Sequence, residues 1–98
     1  NKREAIMGKN IRTDAVDYLF DKILTLKDRE ECYLFFEDLC TKNELLSLSQ
    51  RLEVAKLLHN GRTYQDISET TGASTATISR VNRILTDGNG TFETLFER

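Results

Sequence analysis

Residues 72–80 read GASTATISR, a run of small and hydroxyl side chains broken by one bulky apolar residue and one charge. Two kinds of chemistry could use such a set. Gly72-x-Ser74-x-Ala76 has the outline of a nucleophile elbow, where a serine on a sharp strand-to-helix turn attacks a carbonyl. That chemistry needs a strand before the serine, and an acid and a histidine after it. Here a helical pattern precedes Ser74 and the one histidine, His59, lies upstream. No catalytic residues are expected, and the chain does not read as an enzyme. The second chemistry is recognition. With Ile78 and Val81 turned inward, Ser74, Thr75, Ala76, Thr77, Ser79, Arg80 and Arg83 are left outside, with no acid among them. Small residues let a helix sit deep in the major groove of double-stranded DNA, and hydroxyls bond base edges or phosphates. A threonine or alanine methyl packs on thymine, and arginine makes bidentate contact with guanine or phosphate. The start of a helix adds free N–H groups and a dipole that favour phosphate oxygen.

The remaining chemistry-bearing residues point elsewhere. Cys32, Cys40 and His59 supply at most three metal ligands, at a spacing that matches no common finger or ribbon, so no metal is expected. Two cysteines eight apart on one helix lie about 12 Å apart along its axis, too far for a disulfide. They read as small packing residues. His59, near a helix end, reads as a partner for the helix dipole.

A recognition helix must be held by the rest of a 98-residue chain, which allows one domain with a modest core. Fourteen basic and sixteen acidic residues leave a net charge of −2, so any positive potential must be local. No apolar run reaches the length of a membrane span and no export signal is visible, so the expected location is the cytoplasm, with no membrane partner. Residues 1–11, NKREAIMGKNI, read as a flexible polar segment ahead of a single all-helical domain over 12–98. Proline is absent, and the glycines at 8, 61, 72, 88 and 90 fall outside every apolar-periodic segment.

A first helix is expected over about 12–26, where Val16, Leu19, Phe20, Ile23 and Leu24 repeat at helical spacing. Asp28, with Glu31 three residues on, can cap a second helix whose stripe is Cys32, Phe35, Phe36, Leu39 and Cys40. Thr41-x-x-Glu44 has the form of a capping box for a third helix running to about His59. Leu45, Leu48, Leu52 and Ala55 form one stripe of that helix, while Leu46, Val54, Leu57 and Leu58 point to other sides. A helix apolar nearly all round must be covered on several sides, and two preceding helices cannot easily do so. A second copy is expected to supply the rest, with residues 12–60 forming the dimerisation helices. The plainer alternative is a central helix in a compact monomer.

Gly61 stops the third helix, and Thr63 opens a short fourth with Ile67 facing inward. Gly72 closes it and Ser74 caps a fifth, so only three residues separate the two. Residues 63–86 therefore have the spacing of a helix-turn-helix, with Ile67, Ala73, Ile78, Val81 and Leu85 inward. After a turn at Asp87 to Gly90, residues 91–97 form an end helix through Phe92, Leu95 and Phe96.

Over residues 51–85, RLEVAKLLHNGRTYQDISETTGASTATISRVNRIL, the chain resembles the tryptophan-repressor superfamily, most closely its YerC/YecD branch. QRLEVAKLL, the Gly61 stop and TGASTATISRV carry the likeness most specifically, and it extends weakly back to about Tyr18. The resemblance implies an intertwined all-helical homodimer that presents two helix-turn-helix heads to successive major grooves, as a transcriptional regulator, most simply a repressor. It puts base-reading positions on Thr75, Ala76 and Ser79, with Gln65 of the fourth helix also available to DNA. Arg80 and Arg83 are assigned to phosphate or base contact on geometry alone. The two arginines that sandwich the corepressor ring in the tryptophan repressor match Arg51 and Arg80, if the turn after Gly61 is taken as one residue shorter. The glycine that follows the second arginine there is Val81 here, and its branched side chain should fill the space of an indole. No cofactor, tryptophan included, is therefore expected. Arg51 also has a plainer reading, as a surface charge near Glu53 and Glu44. A competing function for the same small-residue helix is docking on a protein of the transcription machinery.

Overall fold

The computed structural model describes residues 11–98. Those residues contain six helices and no strand: α1 (Asp14–Ile23), α2 (Arg29–Leu39), α3 (Lys42–His59), α4 (Tyr64–Thr71), α5 (Thr75–Asp87) and α6 (Thr91–Phe96). The flexible segment expected at 1–11 lies, apart from Ile11, outside the described residues. The chain divides between Leu39 and Cys40 into two compact units. α3 thus belongs to the same unit as α4 and α5.

In the first unit α1 starts where the Thr13 hydroxyl accepts the Val16 N–H at 3.2 Å. It ends at Ile23, short of the expected 26, because the Thr25 and Leu26 N–H groups reach back only three residues, to the Lys22 and Ile23 carbonyls. Such tightening is the usual way a last turn satisfies its carbonyls. α2 has a reciprocal start: the Glu31 N–H donates to the Asp28 carboxylate and the Glu31 carboxylate accepts the Lys27 N–H, both at 2.9 Å. Neither helix has a fully buried residue. Cys32, Phe35 and Phe36 are half-buried, the two rings meeting edge to face at 5.2 Å, whereas Leu39 is exposed and Cys40 falls past the helix end.

The second unit carries the core. α3 opens with the expected capping box: the Glu44 N–H donates to the Thr41 hydroxyl at 3.1 Å, and the Thr41 N–H to the Glu44 carboxylate at 2.8 Å. It closes in a Schellman motif, with Gly61 left-handed at φ 80° and the Arg62 and Gly61 N–H groups bonded to the Leu57 and Leu58 carbonyls. The buried cluster is Val54, Ala55, Ile67, Ala73, Ile78 and Val81, with Leu57, Leu58, Phe92 and Phe96 packed against it.

The face of α3 that meets the core differs from the expected stripe. Leu48 and Leu52 are 49% and 50% exposed, as is Leu46 at 55%, while Val54 is fully buried. α4 and α5 both arrive on the side of α3 centred on Val54 and Ala55, and within this unit they leave Leu48 and Leu52 half exposed. α6, entered through Gly90 at φ 79°, lays Phe92 and Phe96 on the core, with the Phe96 ring 5.5 Å from that of His59. Leu95, expected inward with them, is exposed.

Candidate nucleic-acid interface

Three residues, Gly72 to Ser74, join α4 to α5, and most of the polar groups of the turn are tied. Gly72 takes the left-handed conformation at φ 75° and donates its N–H to the Ser68 carbonyl at 2.8 Å. Such a φ costs a residue with a Cβ about 1–2 kcal/mol, which explains the glycine. The Ser68 hydroxyl donates to the Ala73 carbonyl at 3.0 Å. The Thr71 hydroxyl donates to the Ile67 carbonyl at 2.8 Å and accepts the Ala73 N–H at 3.1 Å. The buried Ala73 methyl pins the turn to the core.

Ser74 is fixed by this geometry as a cap. Extended at φ −72°, ψ 159°, it accepts the Thr77 N–H at 3.2 Å and donates to the Thr77 hydroxyl at 3.1 Å. The hydroxyl that suggested an elbow sits at the start of a helix that follows another helix, with no strand before it.

Ile78, fully buried, and Val81, 4% exposed, anchor α5. Its opposite side presents Thr75, Ala76, Arg80 and Arg83 to solvent, beside the exposed Ser74. Thr75, Ser79 and Arg83 follow one another at i, i+4, as do Ala76 and Arg80, so these side chains share neighbouring rows. Ser79 is half-buried, and Thr77 is half-buried with its hydroxyl engaged by Ser74. The first turn of α5 carries no acid to offset the positive end of the helix dipole. Gln65 is exposed on α4, but its amide donates to the Glu69 carboxylate at 3.2 Å. The Arg62–Asp66 pair at 3.5 Å is solvent-exposed and adds little.

Arg51 and Arg80 are brought together on the rim of a cleft between α3 and α5, about 320 Å³ in volume. Val81 lies in its wall, as does Gln50. Sequence reasoning passed over Gln50. Its amide donates to the Thr71 carbonyl at 3.2 Å across 21 residues of chain. Its place at the head of QRLEVAKLL, beside Arg51, was the signal that could have drawn attention to it. Cys32 and Cys40 are free thiols, and among the described residues no three histidines, cysteines or carboxylates gather as a metal site.

A short helix, a three-residue turn and a second helix, braced on a longer one through a shared core, define a helix-turn-helix protein. The sequence pattern of the family described as Trp repressor protein matches residues 14–98. The uncharacterised Bacillus subtilis protein YerC is 58% identical over 88 residues, 90% of this chain and 85% of YerC. A crystal structure of a TrpR-like protein from Eubacterium eligens superposes with a TM-score of 0.87 at 64% identity, covering 90% of this chain and 91% of that one. A Staphylococcus aureus structure, reported as a possible Trp repressor, gives 0.86 at 58% identity over 90% and 88% of the two chains. The chain belongs to the Trp repressor family, whose members are regulators of the helix-turn-helix kind, and its YerC-like character rests on the same matches.

Proposed function

We propose that this protein is a homodimeric, sequence-specific regulator of transcription, acting as a repressor in the cytoplasm, that reads the major groove of double-stranded DNA with α5. One observation carries the reading. From Thr75 to Arg83 the outward side of α5 is acid-free, built of small and hydroxyl residues flanked by Arg80 and Arg83, and held rigid from behind by Ile78 and Val81; its one acid, Asp87, comes at the far end of the helix. Thr75, Ala76 and Ser79 read bases, Arg80 and Arg83 hold phosphate or guanine, and Ser74 with the first N–H groups of α5 meets a phosphate. Thr77 and Gln65 stand at the edge of the contact.

Dimer formation is supported by apolar surface on each unit taken by itself: α1 and α2 have no fully buried residue, and Leu46, Leu48 and Leu52 of α3 are about half exposed. A second copy that covers these surfaces also sets two heads for one near-palindromic site, with half-sites one helical turn or a multiple apart. The head works without tryptophan on this reading, which is supported by the branched side chain of Val81 in the lining of the Arg51–Arg80 cleft.

A gel-shift or anisotropy titration against DNA from upstream of the protein's own gene tests the reading. A shift at low salt that weakens steeply as salt rises supports it. No shift from a dimer shown to be folded overturns it, and partner binding that is insensitive to salt would instead mark α5 as a protein-docking helix. Calorimetry showing micromolar affinity for L-tryptophan would overturn the corepressor-free reading.

A further inference from the structure

We propose that Gln50 is the positioning residue that sets the angle of the helix-turn-helix head on α3, a role that rests on the DNA reading above only for its purpose. The last carbonyls of a helix have no partner within it. In α4 the Ser68 carbonyl is taken by the Gly72 N–H and the Ile67 carbonyl by the Thr71 hydroxyl. The Thr71 carbonyl is taken by the Gln50 amide, reaching over from α3 in a part-buried bond of 3.2 Å. Among the described residues it is the one side-chain hydrogen bond that joins α3 to the head.

Its effect follows from the difference between apolar contact and a hydrogen bond. Val54, Ala55, Ile67, Ile78 and Val81 hold the head to α3 without prescribing direction, since burial depends on area. A hydrogen bond weakens steeply off line, so it selects one orientation. The bond is also placed where orientation matters. Thr71, whose carbonyl Gln50 holds, uses its own hydroxyl to hold the Ala73 N–H, and Ala73 precedes the cap of α5. Gln50, Thr71, Ala73 and the start of α5 thus form one chain of directional contacts. Gln50 also lines the cleft with Arg80, so the tie acts beside a residue of the DNA-facing surface.

The test uses the whole protein with Gln50→Met, which keeps length but cannot donate, and Gln50→Glu, which keeps size and polarity but offers no donor. Amide hydrogen exchange is read at Gly72 and Ala73 in the turn, and at Val54 and Ile78 in the core. Loss of one neutral hydrogen bond should speed exchange at the turn about two- to twelvefold in both variants, with the core amides little changed. On a DNA site selected by the wild type, affinity should fall by a similar factor with the same slope against salt. Unchanged turn exchange with unchanged affinity overturns the proposal. So does a salt slope lower by about 0.9 per head, which would make Gln50 a phosphate contact in its own right. A wild type that binds no DNA counts against the function proposed above, and the exchange rates then decide the role of Gln50 alone.

Discussion

Replacing Arg80 with alanine should change how DNA binding responds to salt by an amount that can be worked out beforehand. Arg80 stands exposed on α5, one per head, so a homodimer loses two guanidiniums. Each phosphate contact contributes about 0.9 to the fall of log K with log salt, and two contacts therefore change the slope by about 1.8. Between about 50 and 200 mM salt, roughly 0.6 log units, the wild type should lose about twelvefold more affinity than the variant. The two proteins should differ most at low salt and converge as salt rises. Fluorescence anisotropy on a labelled duplex, chosen by selection from random DNA, measures both lines. Thr75→Ala and Ser79→Ala serve as contrasts, since they should shift which sequences are preferred and leave the slope alone. Parallel lines for wild type and Arg80→Ala would refute the phosphate assignment. Equal weakening on every sequence by all three changes would refute the division between base-reading and phosphate-holding residues.

Two further expectations concern stability. Ile78→Ala should lower the unfolding free energy by about 2–5 kcal/mol in urea titration, because the side chain is fully buried in a core of six residues; a loss under about 1 kcal/mol would show that the head repacks. Glu44 tests the capping box through pH: hydrogen bonds from the Thr41 backbone N–H first, and the Thr41 side chain second, hold its carboxyl below the ordinary 4.5. The unfolded chain therefore takes up the proton more readily. The stabilisation is present above pH 4.5 and is lost as pH falls below it through the folded value. The urea midpoint of the wild type should drop further than that of Glu44→Gln as the solution is acidified through this range, and parallel curves would count against it.

What was legible in the sequence was what is local. The Thr41–Glu44 box, the Gly61 stop, the Thr63 and Ser74 caps and the Gly72 turn each involve groups a few residues apart, and each stands where the sequence places it. Ile67, Ile78 and Val81 were legible as inward residues because two short helices joined by three residues leave few ways to bury them. The face of α3 was not. Its apolar residues surround the helix, so periodicity could not say whether Val54 or Leu48 would meet the head; that depended on where α4 and α5 arrive. Gln50 escaped notice for the same reason, since a glutamine on a helix is unremarkable until the carbonyl it reaches, 21 residues on, is in place. In α6, Phe92 and Phe96 pack while Leu95 does not, a choice that a six-residue helix with three apolar side chains leaves open.

The residues that keep the head folded and the residues that face outward from it are largely different ones. Ile67, Ala73, Ile78 and Val81 are committed to the core, and Ser68, Thr71 and Ser74 to the turn, whereas Thr75, Ala76 and Arg83 belong to neither. Mutation can therefore explore those three positions at little risk to the scaffold. A lineage carrying this head could acquire new targets by small steps, each intermediate still folded, with duplication supplying the spare copy on which the change is tried.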